Sequence, residues 1–217
     1  MTFFSERPDG TGGFPGHLKI WISFSLTEEG EFGISYHIQT DKDTLVNPTN
    51  HSYFNLSGDF THTIDSTYVR LGTGGVYPVD ANLIPKEACM VPDFVQDLQN
   101  GTRFGHIFSS NHEQVRLVGG LDHPFKLTPN QPAAIFYDSK TGRKLTLRTD
   151  RPVLVIYTAN IYDEKIKFSD RIAQIHNGFA LETQVLPDAI HTNKREEVIL
   201  HAGQEFISTT TYHATIE

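Results

Sequence analysis

Cysteine is nearly absent from this chain, which has 217 residues and a single cysteine, Cys89. A framework of intrachain disulfides and a zinc ribbon held by cysteines are therefore both excluded. Apolar runs are short as well, and a run such as 153–157 is far too short to cross a bilayer. Lys and Arg number 18 against 26 Asp and Glu, which gives a formal charge of −8. That acidic balance, with no basic cluster, argues against binding to nucleic acid or to an anionic membrane.

The first residues lack the basic start and the long apolar stretch that mark a secretory signal. No internal repeat, Pro- or Ser-rich linker or block of like charges divides the chain. We therefore expect one domain over residues 1–217, in a soluble protein of the cytoplasm.

Alanine is scarce, and this bears on the fold class. The chain has 10 Ala against 22 Thr, 15 Phe and 8 Tyr. Alanine is the best helix former, whereas threonine and the aromatic residues favour pleated, half-buried surfaces. The composition predicts an all-β fold.

Alternation of apolar and polar residues supports this prediction at several places. Two antiparallel hairpins are predicted, one from 17–26 with 32–38 and one from 133–137 with 144–149. The apolar run 153–158 predicts a strand buried on both faces, and 205–216 predicts a long C-terminal strand. Helical periodicity is weak, and only 93–98, which follows Pro92, predicts a short helix.

The densest polar cluster is the Asn-rich segment 47–56. If it is extended, its alternate side chains share one face, and these include Asn47, His51 and Tyr53. An imidazole, an aromatic ring and amides suit a sugar, whose ring stacks and whose hydroxyl groups need donors and acceptors. The alternative is an edge strand that ends in an Asn-rich turn and carries a structural histidine.

Two further clusters carry carboxylates. Asp122 follows a glycine pair and precedes His123 and Pro124, so it lies at the end of a loop, or else simply caps the amides of a tight turn. Glu182 and Gln184 share one face of a predicted strand within 178–188. A carboxylate among apolar neighbours is costly unless it is paired or functional, and burial would raise its pKa toward a range useful for proton transfer. The alternative is a sheet face exposed to water.

Other chemistries find little support in the motifs. The chain has 11 His, but no H-x-x-x-H pair with a Glu between and no cysteine cluster, so a metal site is not expected. A phosphate-binding glycine loop and a serine nucleophile elbow are also missing. We expect neither a metal nor an organic cofactor.

Taken in order, these segments resemble the aldose 1-epimerases (galactose mutarotases). The matching segments begin with Asn50-His51-Ser52-Tyr53-Phe54-Asn55-Leu56, and the others are Tyr77-Pro78-Val79-Asp80, Leu83-Ile84-Pro85, Gly120-Leu121-Asp122-His123, Tyr157-Thr158-Ala159-Asn160, Leu181-Glu182-Thr183-Gln184 and Pro187-Asp188. The resemblance covers essentially the whole chain and implies a galactose mutarotase-like, antiparallel β-supersandwich with a sugar cleft across one sheet.

The resemblance also implies roles by position. His51 matches the general acid that protonates the ring oxygen of the sugar, and Glu182 matches the general base that takes the anomeric proton. Asp122 matches a carboxylate that binds sugar hydroxyls. The remaining expected sugar-binding side chains are Asn50, Tyr53, Gln184 and Asn160. The implied activity is interconversion of the α and β anomers of a free hexose, galactose or glucose.

One departure is large. Members of the family carry an N-terminal stretch with an Arg and a His-Gly-Gly motif that line the sugar site, and this sequence contains no His-Gly-Gly. We therefore expect a fold that is incomplete at the N-terminus and weak or no activity of the chain alone. Exposed edges would pair in a homodimer or with a separately encoded N-terminal piece. The alternatives are a non-catalytic sugar-binding paralogue and a protein of the hexose-6-phosphate 1-epimerase type.

Overall fold

Two antiparallel sheets face each other in the computed structural model, which describes residues 1–161 and 174–217. The strands in these ranges are β1 Thr2–Arg7, β2 Leu18–Leu26, β3 Glu31–Thr40, β4 Thr44–Leu45, β5 Tyr53–Phe54, β6 Tyr68–Leu71, β7 Thr73–Val76, β8 Thr102–Arg103, β9 Asp122–Leu127, β10 Ala134–Tyr137, β11 Arg143–Thr149, β12 Val153–Tyr157, β13 Phe179–Gln184, β14 Ile199–Leu200 and β15 Glu205–Ile216. The helices are α1 Asp93–Asn100, α2 Phe104–Phe108 and α3 Glu113–Val118, with short 3₁₀ turns at Thr11–Gly13, Ala189–His191 and Arg195–Glu197.

The larger sheet has eight strands in the order β1-β2-β3-β15-β11-β10-β6-β8. The smaller sheet has five, in the order β5-β13-β12-β9-β7, and β4 pairs with β14 in a separate ribbon. Pairing is antiparallel throughout these sheets. The prediction of an antiparallel β-supersandwich is confirmed.

The core lies between the two sheets. Phe136 of the larger sheet and Phe179 of the smaller one stack with ring centroids 4.6 Å apart, and both are fully buried. A buried hydrogen bond of 2.7 Å joins the hydroxyls of Thr183 and Thr210 across the same interface. Aromatic pairs of this kind add to the burial of apolar area that stabilises the sandwich.

Most strand predictions are confirmed. Both hairpins form, as β2–β3 and β10–β11, and the C-terminal strand β15 has the predicted bounds. The apolar run forms β12, whose residues Val153–Ile156 are all buried. The predicted helix forms as α1 and ends before Gly101, which has a φ of 94°.

The condition that segment 47–56 is extended is met only at Tyr53–Phe54, which forms the edge strand β5, and the alternative of an edge strand with an Asn-rich turn describes this segment better. Asn50 Oδ1 accepts the N–H of Ser52, and Asn55 Oδ1 accepts the N–H of Ser57. Asparagine side chains that bond to the backbone two residues on build turns in place of a ladder. A tight turn at Asp122 is wrong, since Asp122 begins β9.

The described helices are short, and the longest has eight residues. In the ranges that the structure describes, no helix is long and apolar enough to cross a membrane.

Candidate functional site

One face of the five-stranded sheet presents the candidate site. Directly opposed residues of antiparallel strands point to the same face, so the pairs Tyr53–Ala180, Ala180–Tyr157 and Tyr157–Asp122 form one row across four strands. Glu182 lies two residues beyond Ala180 and therefore shares this face. Ala180 carries only a methyl group, so the larger aromatic and acidic side chains around it extend farther from the sheet.

The imidazole of His51 and the carboxylate of Glu182 are in contact on this face of the sheet. Nε2 of His51 lies 3.2 Å from Oε1 of Glu182. The Glu182 side chain is 16% exposed, and the His51 side chain is 48% exposed toward solvent. The predicted convergence of the side chains at positions 51 and 182 is confirmed.

Two tyrosines surround the imidazole. The ring of His51 lies 5.1 Å from that of Tyr53 and 6.1 Å from that of Tyr157, measured between centroids. The tyrosine rings are themselves 6.2 Å apart in an edge-to-face arrangement. These aromatic faces flank the contact between His51 and Glu182 and add apolar ring surface beside it.

Burial sets the electrostatics of the carboxylates. The pKa of Glu182 is raised, chiefly because burial disfavours its charged form. The nearby charge of Asp122 also raises this pKa. His51 and the hydrogen bond from Gln184 act in the opposite direction and lower it. The pKa of Asp122 is also raised by burial, and His51 opposes that shift. The predicted upward shift at Glu182 is thus confirmed, and the electrostatic coupling places Asp122 in the same cluster.

Comparison with known proteins bears on this cluster. The sequence profile of the family described as Aldose 1-epimerase matches residues 1–213. The chain belongs to the aldose 1-epimerase family. It is 34% identical to the galactose mutarotase of Rattus norvegicus over 221 residues, which cover 100% of this chain and 63% of that protein. It is 33% identical to the maltose epimerase of Levilactobacillus brevis over 212 residues, which cover 93% of this chain and 58% of that protein.

Solved structures agree with the family assignment. The galactose 1-epimerase of Lactobacillus acidophilus superimposes with a TM-score of 0.86 at 28% identity, over 99% of this chain and 61% of that one. An aldose epimerase homologue from C. elegans gives a TM-score of 0.85 at 21% identity and shows the shared fold. The chain therefore spans somewhat less than two thirds of the length of these relatives.

Within this aldose 1-epimerase fold, Gln184 joins the cluster around Glu182. Nε2 of Gln184 donates to Oε2 of Glu182 at 3.1 Å, on the oxygen that does not face His51. Oε1 of Gln184 accepts from Nδ2 of Asn47 at 3.2 Å. Sequence reasoning placed Asn47 on the His51 face but not among the site residues.

Two other predicted sugar-binding residues are engaged with the backbone. Asn50 accepts the N–H of Ser52 in the turn beside His51. Asn160 is buried, donates to the carbonyl of Leu121 at 2.8 Å and accepts from the hydroxyl of Thr158 at 2.6 Å. Their role in binding a sugar stays a prediction.

Tyr157 is the site residue that sequence reasoning missed. It begins the matching segment Tyr157-Thr158-Ala159-Asn160, and it ends a strand whose other residues are buried. An aromatic residue with a polar tip at the end of a buried strand was the available signal. Metal ligands do not gather here, since no three His, Cys, Asp or Glu side chains among the described residues could hold an ion.

Proposed function

We propose that this chain interconverts the α and β anomers of a free hexose, galactose or glucose, by acid–base ring opening and reclosure, and that it does so weakly when it is alone. The observation that carries the proposal is the 3.2 Å contact between His51 Nε2 and Glu182 Oε1. Membership of the aldose 1-epimerase family supports it, as do the relatives named galactose mutarotase and aldose 1-epimerase.

Ring opening divides the work between the two groups. Glu182 accepts the proton of the anomeric hydroxyl while protonated His51 gives a proton to the ring oxygen. The bond between C1 and the ring oxygen breaks, and the electrons of the O–H bond form the C1 carbonyl. Both oxygens are attached to C1, so an acid and a base that act on them must lie side by side, as these two side chains do.

Reclosure reverses the proton transfers. Rotation about the C1–C2 bond of the open aldehyde presents the other face of the carbonyl to the ring oxygen. That oxygen attacks C1 and returns its proton to His51, and Glu182 gives its proton to the new anomeric hydroxyl. Protons and electrons balance over the cycle, so the proposed reaction calls for neither a metal nor an organic cofactor.

The other polar side chains of the cluster bind the sugar in this proposal. Asp122 accepts hydrogen bonds from sugar hydroxyls. Its carboxylate lies on the same face as Glu182 and is close enough to raise the pKa of Glu182. Tyr53 offers ring surface beside His51. The amides of Asn50, Gln184 and Asn160 are the further proposed partners of the hydroxyl groups.

Replacement of Glu182 by Gln tests the proposal. The amide keeps the shape of the side chain but cannot accept the anomeric proton, so we expect mutarotation to fall about 10²- to 10⁴-fold. Polarimetry on freshly dissolved α-galactose and α-glucose measures the rate, and sugar binding, followed by NMR line broadening, should persist. Glu28→Gln, an exposed turn position, is the control and should leave the rate unchanged.

Two outcomes would contradict the proposal. One is a wild-type chain that binds galactose and glucose but does not raise their rate of mutarotation above the spontaneous rate. The first outcome would favour a sugar-binding protein without catalysis. The other is an unchanged rate in Glu182→Gln, which would exclude Glu182 as the base.

We also propose that β1 associates with another chain, either a second copy or a separately encoded N-terminal piece. Support comes from the exposure of this edge strand, in which Phe3 and Phe4 are each 53% exposed. Unpaired strand edges with apolar side chains favour pairing with another strand. A cytoplasmic location completes the proposal, and the lone cysteine Cys89, which forms no disulfide, supports it.

A further inference from the structure

Asn47 lies behind Gln184, on the side away from Glu182. Its Nδ2 donates to Oε1 of Gln184 at 3.2 Å, and its Oδ1 accepts the backbone N–H of Val185 at 3.0 Å. Gln184 in turn donates to Oε2 of Glu182 at 3.1 Å. Three side chains thus form one line of hydrogen bonds that ends on the carboxylate facing His51.

The backbone of Val185 decides which way both amides point. An amide side chain can present either its oxygen or its nitrogen, whereas a backbone N–H can only donate. Asn47 must therefore turn its oxygen to Val185 and its nitrogen to Gln184. Gln184 must then turn its oxygen to Asn47, which leaves its N–H₂ group for Glu182.

This polarity matters to the carboxylate. With its N–H toward Glu182, Gln184 holds Oε2 and leaves Oε1 beside His51. If the amide of Gln184 turned over, its carbonyl oxygen would face a carboxylate oxygen with no proton between them. In a partly buried site that arrangement would repel the charged form of Glu182.

We propose that Asn47 is a positioning residue that acts through Gln184 and reserves Oε1 of Glu182 as the oxygen that accepts the anomeric proton. The inference rests on the proposed function, because it assigns a task to the proposed base. Asn47 does not touch the reacting atoms in this proposal. Its effect passes through the orientation of the Gln184 amide.

The test replaces only the neutral amides Asn47 and Gln184, so the charged side chains around Glu182 stay the same. His51 faces the carboxylate from the segment that precedes β5, and Asp122 faces it from β9. Gln184 follows it on β13 and is neutral, as is Asn47. Replacing either amide by an apolar residue of similar shape removes hydrogen bonds without adding a charge.

A double-mutant cycle with Asn47→Leu and Gln184→Met tests whether Asn47 acts through Gln184. The readout is the titration of Glu182, followed by ¹³C NMR of protein labelled at the glutamate carboxyl carbon and assigned with Glu182→Gln. Gln184→Met should raise the titration midpoint by about one pH unit, the tenfold change expected for one hydrogen bond to a charged group. Asn47→Leu should raise it by a similar or smaller amount in the wild-type chain and add nothing in the Gln184→Met background.

Two results would overturn the inference: equal effects of Asn47→Leu in both backgrounds, or no effect of Asn47→Leu in the wild-type chain. Asn82→Leu, at an exposed turn position, controls for unrelated replacement of an amide, and circular dichroism reports on folding. If Asn47→Leu does not fold, Asn47→Ala replaces it in the cycle with the same expected outcomes, and an unchanged midpoint in Gln184→Met would itself exclude the hydrogen bond to Oε2 and overturn the inference. The titration needs no turnover, so it can succeed where polarimetry shows no mutarotation and the proposed function fails.

Discussion

Asp122 and His123 are neighbours in the sequence, yet they face opposite sides of the smaller sheet. Asp122 shares the site face with Tyr157, whereas His123 is fully buried in the core near Phe94. Burial, with a smaller contribution from His112, lowers the pKa of His123 to about 4. The imidazole of His123 is therefore neutral at physiological pH. His123 packs in the core, whereas the imidazole of His51 is exposed.

The raised pKa of Glu182 predicts a cost in stability at neutral pH. A carboxyl whose folded pKa lies above its unfolded value binds more protons when folded, so stability falls as the pH rises through that interval. Gln in place of Glu182 carries no charge at any pH. We therefore expect Glu182→Gln to be more stable than the wild type at pH 7 by roughly 0.5–2 kcal/mol, because the variant buries no charged group at this position.

Urea unfolding at pH 7 and below pH 4 measures this difference. The gain should shrink at the acid pH, where Glu182 is protonated in both states. A gain that is equal at the two pH values, or larger in acid, would contradict the assignment. Glu28→Gln provides the matched control at an exposed position.

At the scale of residues, the sequence predicted that His51 and Glu182 come together but not the hydrogen bond between Gln184 and Glu182. His51 and Glu182 stand in motifs specific enough to carry roles, and a mid-strand carboxylate among apolar neighbours already indicated a raised pKa. The link between Asn47 and Gln184 joins side chains far apart in the sequence. Neither local pattern specifies that their amides meet, so this contact required the folded structure.

Among the elements, the junction of α3 and β9 places Asp122 on the site face. Gly119 ends α3 with a φ of 69°, and Gly120 follows with a φ of 153°. A Cβ on Gly120 would lie 2.4 Å from Oδ1 of Asn160 and 2.7 Å from Oγ1 of Thr158. Both atoms are buried and hydrogen-bonded to each other, so neither can move away cheaply.

Gly120→Ala should accordingly be strongly destabilising. Left-handed strain costs about 1–2 kcal/mol, and disruption of the buried hydrogen bonds of Asn160 and Thr158 adds about 1–3 kcal/mol. Thermal unfolding measures the loss, and the shifted start of β9 should also weaken sugar binding. Gly74→Ala is the control, because its added Cβ would meet nothing closer than 3.9 Å and should cost less than about 1 kcal/mol. Equal effects at the two glycines would show that the buried hydrogen bonds do not matter.

Long elements with a clear period were predicted, whereas several short elements, including α2 and α3, were not. In the hairpin β2–β3 the alternation runs over nine or ten residues on each strand, long enough to identify both strands. Helices α2 and α3 have five and six residues, less than two turns, so no helical period can develop. Strand β1 was missed because five of its six residues are exposed and show no alternation of apolar and polar positions.

For the whole molecule, the two sheets are unequal in width. The larger sheet has eight strands and the smaller one has five, so the inner face near β1 and β2 is only partly covered. Phe3 lies on that inner face with Ile22 and Tyr36, yet it remains 53% exposed. The pairing pattern defines this face, whereas composition alone could predict only that the fold is rich in strands.

Self-association through β1 is the expected consequence of that exposure. Phe3→Lys places a charge on the edge strand, and we expect it to raise the dissociation constant of a dimer about tenfold or more. Sedimentation velocity over a range of concentrations measures it. Leu117→Lys, at an apolar position on α3 that is 45% exposed, is the control and should leave association unchanged. Unchanged association in Phe3→Lys would direct the search to another surface.

The contact between His51 and Glu182 has a consequence for folding during synthesis on the ribosome. His51 emerges from the ribosome long before Glu182, and their contact depends on strands that are collected from most of the described chain. Such non-local pairing is slow and is completed late in folding. The contact between these two side chains thus marks the finished fold, because a nascent chain that ends before Glu182 lacks one of them.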